Sequence, residues 1–216
     1  MSEEITLRQL RHWLQRYADL IEEQETYLSE LDAAIGDGDH GANMMRGMET
    51  VRARLQEEQE AKITVSTLMR NVAMTLISSV GGAAGPLYGA FFLRAAKDAG
   101  NTSQITLAQL AHMFRSGLEG VQQRGKAVAA EKTMVDAMLP AVDALANAEA
   151  AGQSLASALH AATVAAAAGM EETIMMQATK GRASYLGTRS VGHQDPGATS
   201  AYYLIETAAE AFGDDA

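Results

Sequence analysis

The chain has 216 residues, 47% of them hydrophobic, enough to bury a full core and better suited to one domain than to two. A formal net charge of -10 and an isoelectric point near 4.9 leave no basic surface for nucleic acid or an anionic membrane, so local basic residues must serve a local anion. Cysteine is absent, which excludes disulfides, thiolate metal sites and cysteine nucleophiles and suits a reducing compartment, the cytoplasm by default.

Met1-Ser2-Glu3-Glu4 lacks the basic opening of a signal peptide, and the most apolar run, Leu155 to Met170, is alanine-dominated and carries His160, so no membrane segment is expected. Three-and-four spacing recurs along the chain, while period-two alternation over a strand's length does not, which predicts an all-α protein. The first helix opens at the capping-box pattern Thr6-Leu7-Arg8-Gln9, carries Leu10, Leu14, Tyr17 and Ile21 inward, and breaks near Glu22 before continuing to Leu31. Met44, Met48, Val51 and Leu55 mark a second helix; Val65, Leu68, Met69, Val72 and Leu76 mark a third. A fourth runs from about Pro86 to Gly100, and a fifth from the capping box Thr106-Leu107-Ala108-Gln109 to near Gly125. The sixth, Thr133 to about Ala150, contains Pro140 and is expected to kink there; the seventh runs from Ser154 toward Lys180 and the eighth from Pro196 to about Phe212. Eight helices without a repeat of fixed period, low-complexity tract or proline-rich linker make one domain, residues 1–216.

Between the first two helices lies Leu31 to Gly47, which gathers Asp32, Asp37, Asp39, His40 and Asn43 into a glycine-punctuated turn. Carboxylates this close repel one another, and the usual compensation is a hard divalent cation with oxygen ligands, magnesium first. Gly36 and Gly38 free the backbone, and an extended Asp37-Gly38-Asp39 aims both carboxylates to one side. An EF-hand loop counted from Asp37 fails, with Ala42 at its glycine position and Met48 at its glutamate position. The plainer alternative is a solvated turn in which Asp39 or Asn43 caps the next helix.

The remaining glycines concentrate in the connections. Ser78-Ser79-Val80-Gly81-Gly82-Ala83-Ala84-Gly85-Pro86 ends one helix and opens another, either a phosphate cradle of bare N–H groups or a tight αα-hairpin. Gly125-Lys126-Ala127 with Lys132-Thr133-Met134 is a basic loop that simple solvated charge also explains. In the last long connection Arg182 suits bidentate contact with a phosphate, and His193 alone reads as structural.

Together, Gly36-Asp37-Gly38-Asp39-His40-Gly41-Ala42-Asn43, Ser79-Val80-Gly81-Gly82, Gly85-Pro86-Leu87-Tyr88-Gly89, Gly125-Lys126-Ala127, Lys132-Thr133-Met134, Gly181 to Gly187 and Gly192 to Ala198 resemble the nucleotide-binding L subunits of bacterial dihydroxyacetone kinases, over essentially the whole chain. The resemblance implies a barrel of eight antiparallel helices holding ADP or ATP and two magnesium ions in the loops at one end. By it, Asp32, Asp37 and Asp39 bind magnesium, His40, Gly41, Ala42, Asn43, Ala83 and Ala84 meet the phosphates, and Gly125, Met134, Arg182, Asp195, Pro196 and Gly197 contact the nucleotide. It further implies phosphoryl transfer to dihydroxyacetone held on a separate K subunit, with resident ADP recharged by a phosphohistidine-carrying M subunit, and a homodimer is expected. The short length favours this phosphotransferase-dependent form over a fused ATP-using kinase.

Two positions depart from the family pattern. Ala84 stands where the glycine loop usually has serine, so backbone donors must suffice there, and Ala129-Ala130-Glu131 stands where proline, glycine and aspartate are usual. Alternatives are the nucleotide subunit of an ATP-using kinase of another small ketose, or an ADP-loaded regulatory module that docks on a transcription factor.

Overall fold

The structure is a computed structural model that describes residues 4–58 and 63–213; the signal-peptide reading of Met1, Ser2 and Glu3 lies outside these. Nine α-helices are present among the described residues: α1 (Leu7–Glu23), α2 (Glu25–Ile35), α3 (His40–Glu57), α4 (Val65–Ser79), α5 (Ala84–Ala99), α6 (Leu107–Gly125), α7 (Met134–Ala150), α8 (Leu155–Glu172) and α9 (Pro196–Gly213). The eight expected become nine because the first one breaks. The break falls at Gln24, whose ψ of 9° is no longer helical, two residues beyond Glu22. No helix among the described residues is long and apolar enough to cross a membrane.

Each helix packs on the next from α3 to α9, and α9 packs back on α1, which also meets α3, so the circuit of neighbours is closed. Its centre is aromatic: the Trp13 ring lies 5.8 Å from Phe114, 6.1 Å from Phe92 and 5.7 Å from Phe212. Burying rings of this size contributes several kcal/mol through apolar area, roughly 2–3 per side chain. Their polar tips are satisfied by α9, since Trp13 Nε1 donates to the Leu204 carbonyl at 2.9 Å and Tyr17 OH to the Ser200 carbonyl at 3.1 Å.

Two features depart from the helical expectation. Two three-residue strands, β1 (Glu4–Thr6) and β2 (Gln104–Thr106), pair antiparallel about Ile5 and Ile105. Each leads into a capping box, Thr6 with Gln9 and Thr106 with Gln109, so the same Ile-Thr-Leu-x-Gln-Leu phrase opens α1 and α6 and pairs with itself. Strands this short carry no periodic signal. The second departure is that α8 stops at Glu172, not near Lys180, and passes through a 3-10 turn at Thr173–Met175 into extended backbone at Met176. The cause is a side chain from elsewhere: Lys132 Nζ takes the Thr173 carbonyl at 2.5 Å and the Met176 carbonyl at 3.3 Å, oxygens a continuing helix would need.

Candidate functional site

A cavity of about 480 Å³ opens where the C-terminal ends of α2 and α6 meet the N-termini of α3, α5, α7 and α9. Leu87, Val121, Ala127 and Met134 give it an apolar lining, and Asp32, Asp37, Asp39 and Arg182 a charged one. Of the residues expected at a site, Asp32, Asp37, Asp39, His40, Asn43, Ala83, Ala84, Gly125, Met134, Arg182, Asp195, Pro196 and Gly197 all line it. Gly41 and Ala42 do not: Gly41 is buried against the Glu25 carbonyl and Ser29, and Ala42 is exposed.

The three aspartates each offer an oxygen within 4.8 Å of the others. All three donors are hard carboxylate oxygens, the set a magnesium or calcium ion requires, and the cationic group now closest to them is Arg182, whose Nη2 lies 3.1 Å from Asp37 Oδ2. The turn is not extended throughout, because Gly38 sits at φ +76°, a left-handed value. Asp32 does two jobs. Its Oδ2 accepts the N–H groups of Asp39 at 2.9 Å and His40 at 3.2 Å, capping α3, while neither Asp39 nor Asn43 does so. Gly36 permits this approach, since a Cβ there would lie 2.1 Å from Asp32 Oδ1.

Four helix N-termini face the cavity, and three are closed by side chains. Asp32 closes α3, Thr133 closes α7 by accepting from Val135 N–H at 3.2 Å, and Asp195 closes α9 by accepting from Ala198 N–H at 2.7 Å. The N-terminus of α5 has no side-chain cap, because Ala83 stands at the cap position and Ala84 begins the helix. Its first-turn N–H groups are therefore donors for an anion. Gly81 brings this loop onto Asn43, leaving 2.5 Å between a notional Cβ and Asn43 Oδ1, a space that only glycine provides.

Beneath the polar wall runs a buried chain that local sequence patterns do not reveal. His40 Nε2 is 2.9 Å from Ser200 Oγ, which is 2.8 Å from Tyr88 OH, and Ser200 Oγ also donates to the Gly197 carbonyl at 3.2 Å. Burial pushes the His40 pKa down against the opposing pull of Asp32 and Asp39, and burial pushes the Tyr88 hydroxyl up to about 12. Asp195 is likewise raised to about 7, by burial first, with the Ala198 N–H and Lys132 pulling the other way and Asp136 and Asp32 adding to the rise.

Lys132 corrects the solvated-charge reading of the basic loop: it is 1% exposed and ties together three segments through the carbonyls of Thr173, Met176 and His193. His193 contributes that carbonyl and its side chain lies outside the cavity wall. In the departing loop, Glu131 accepts from Val128 N–H at 2.9 Å and Thr179 Oγ1 at 3.1 Å, while Ala130 adopts φ +64°, which explains the usual glycine there.

An all-α domain thus brings a carboxylate cluster, donors for a cation, and an uncapped helix N-terminus, a donor set for an anion, into one cavity. Residues 34–210 match the DAK2 domain, and the chain belongs to that family. It is 46% identical to the PEP-dependent dihydroxyacetone kinase ADP-binding subunit DhaL of Escherichia coli (strain K12), over 92% of this chain and 93% of that protein. It is 44% identical to the PTS-dependent subunit DhaL of Lactococcus lactis subsp. lactis, over 95% and 98%. The dihydroxyacetone kinase from C. freundii, solved in complex with AMP-PNP and Mg2+, has the same fold, with TM-score 0.71 at 25% identity over 93% of this chain and 33% of that one.

Proposed function

We propose that the cavity binds ADP with magnesium and that the chain is the ADP-binding subunit of a dihydroxyacetone kinase whose sugar sits on a separate K subunit. The observation that carries this is the convergence of three carboxylates within 4.8 Å with the uncapped α5 N-terminus and an apolar wall in one cavity. When bound, two magnesium ions and the nucleotide supply the phosphoryl group and neutralise its charge.

The chain's own residues do the positioning. Asp32, Asp37 and Asp39 hold the cations; the α5 amides and Arg182 hold phosphate oxygens by charge-assisted hydrogen bonds. Leu87, Val121 and Met134 give the base an apolar seat, and Asp195, Pro196 and Gly197 with Gly125 border it. His40, kept neutral by burial and fixed by Ser200, presents its other ring nitrogen without adding charge. The acceptor hydroxyl is activated on the separate K subunit, where the sugar sits. The close similarity over nearly full length to PEP- and PTS-dependent subunits supports recharging of resident ADP by a phosphohistidine carrier, the M subunit.

The test is an assay of the isolated chain with dihydroxyacetone and ATP, repeated with the K subunit and then with the phosphohistidine carrier. The expected result is ADP and magnesium binding by the isolated chain but turnover only after the partners are added. Robust turnover by the chain alone would overturn the subunit assignment.

A further inference from the structure

On the outer face of α4, α5 and α6 lies a second concavity of about 500 Å³, away from the carboxylate cluster. Arg70 of α4, Arg94 and Lys97 of α5, and Arg124 of α6 surround it, and no carboxylate lines it. The chain has 17 Lys and Arg against 27 Asp and Glu, so four cations around one groove without an acid run against its overall charge. None of the four forms an ion pair among the described residues; Arg94 donates to the neutral Gln123 side chain. Leu93 and Ala90 provide apolar floor, and Gly120 lets the Arg94 stem lie against α6, where a Cβ would come within 2.7 Å of Arg94 Cγ. Like charges gathered on a concave surface repel unless an anion joins them.

We propose that this groove is a second ligand site, for a multiply charged phosphorylated small molecule, separate from the nucleotide cavity and sharing only Arg124 with it. Its volume lies in the range of small-molecule pockets, on the order of 300–1,000 Å³. Its cations converge across three helices on a concave floor, an arrangement suited to a compact polyanion and not to an extended acidic chain. Arginine supplies three of the four charges, and its planar fork matches phosphate oxygens. Because Arg124 also borders the nucleotide cavity, the two ligands meet at one side chain. The site stands on the groove alone and does not depend on what the cavity binds.

The probe is fructose 1,6-bisphosphate, titrated calorimetrically into the full chain, with fructose as the neutral control and inorganic phosphate to show whether one phosphate suffices. The titration is run on protein loaded with ADP and magnesium, on unloaded protein and on the Arg70→Ser/Lys97→Ser variant, whose substitutions lie away from the cavity. Saturable one-to-one binding is expected in both loaded and unloaded protein, weakening with salt and by roughly tenfold or more in the variant, as loss of two charge-assisted contacts requires. Circular dichroism and ADP binding by the variant should match the parent. Absence of saturable binding, or undiminished binding in the variant, would overturn the site. Saturation by hexaglutamate where the bisphosphate gives none would replace the small molecule by an acidic protein partner. Failure of ADP to bind would strike the nucleotide reading and leave this comparison intact.

Discussion

The Asp32 carboxylate accepts the backbone N–H of Asp39 at 2.9 Å, so one of three clustered acids is also the cap of the helix that follows the cluster. The acids are thereby unequal. In metal-free protein, Asp37→Ala and Asp39→Ala remove negative charge from a repulsive cluster and should leave stability unchanged or raise it. Asp32→Ala should lower it by about 1–2 kcal/mol, the cost of an N-cap. All three should lose magnesium binding. Denaturant unfolding in EDTA, paired with magnesium titration, checks both halves; equal stability in all three variants would show that the cap is energetically idle.

Lys132→Met should be the most damaging single change near the site. It leaves the carbonyls of Thr173, Met176 and His193 without their donor, at roughly 3 kcal/mol or more for a buried charged hydrogen-bonding group. Hydrogen exchange should accelerate first in 173–197. ADP affinity should fall with it through loss of that support, because the Lys132 ammonium is already committed to carbonyls and has no donor left for a phosphate. Unchanged exchange in 173–197 would show that the three carbonyls find other partners.

Asp195 makes stability depend on pH in a definite direction. Its folded pKa, about 7, lies above the ordinary carboxylate value of 3.8, so the folded state holds a proton that the unfolded state has lost. The contribution is full below about 3.8 and disappears as pH rises through about 7. In EDTA, the stability of the parent minus that of Asp195→Asn should therefore be larger at acid pH than at alkaline pH. A difference that does not change with pH would show that Asp195 is ionised throughout.

Ala130→Gly should stabilise the protein. At φ +64° a Cβ costs roughly 1 kcal/mol, which glycine removes at the expense of a more flexible unfolded chain. A rise in Tm with ADP affinity unchanged is the expected outcome, and a fall would mean that the unfolded-state term dominates.

What is legible in the sequence is what acts locally. Thr6, Thr106 and Thr133 announce their helices because capping bonds span three residues, and Asp32, Asp37 and Asp39 announce a carboxylate cluster because they crowd one short turn. Lys132 is misleading because a lysine between Glu131 and Thr133 in a glycine-and-alanine loop looks solvated, and its three acceptors lie 41 to 61 residues away. The end of α8 is hidden for the same reason, as Lys132 intercepts its carbonyls. Ser200 gives little sign of its role because His40 is 160 residues distant; the available signal is Thr199-Ser200, a buried polar pair near the start of a largely apolar helix. The β1–β2 pair escapes because three residues carry no period, although the repeated Ile-Thr-Leu-x-Gln-Leu phrase is visible.

The bonds from Trp13 and Tyr17 to α9 span 191 and 183 residues, which sets an order of assembly. A chain emerging from the ribosome forms α1 first, yet both buried polar tips wait for α9, and so does His40, whose partner Ser200 lies on that helix. Until residues 196–213 are made, the cavity lacks Asp195's cap on α9 and the support under its polar wall. Completion of the cavity thus coincides with completion of the circuit, and any nascent or clipped chain lacking α9 is an unfinished, aromatic-exposing body for chaperones and proteases to recognise.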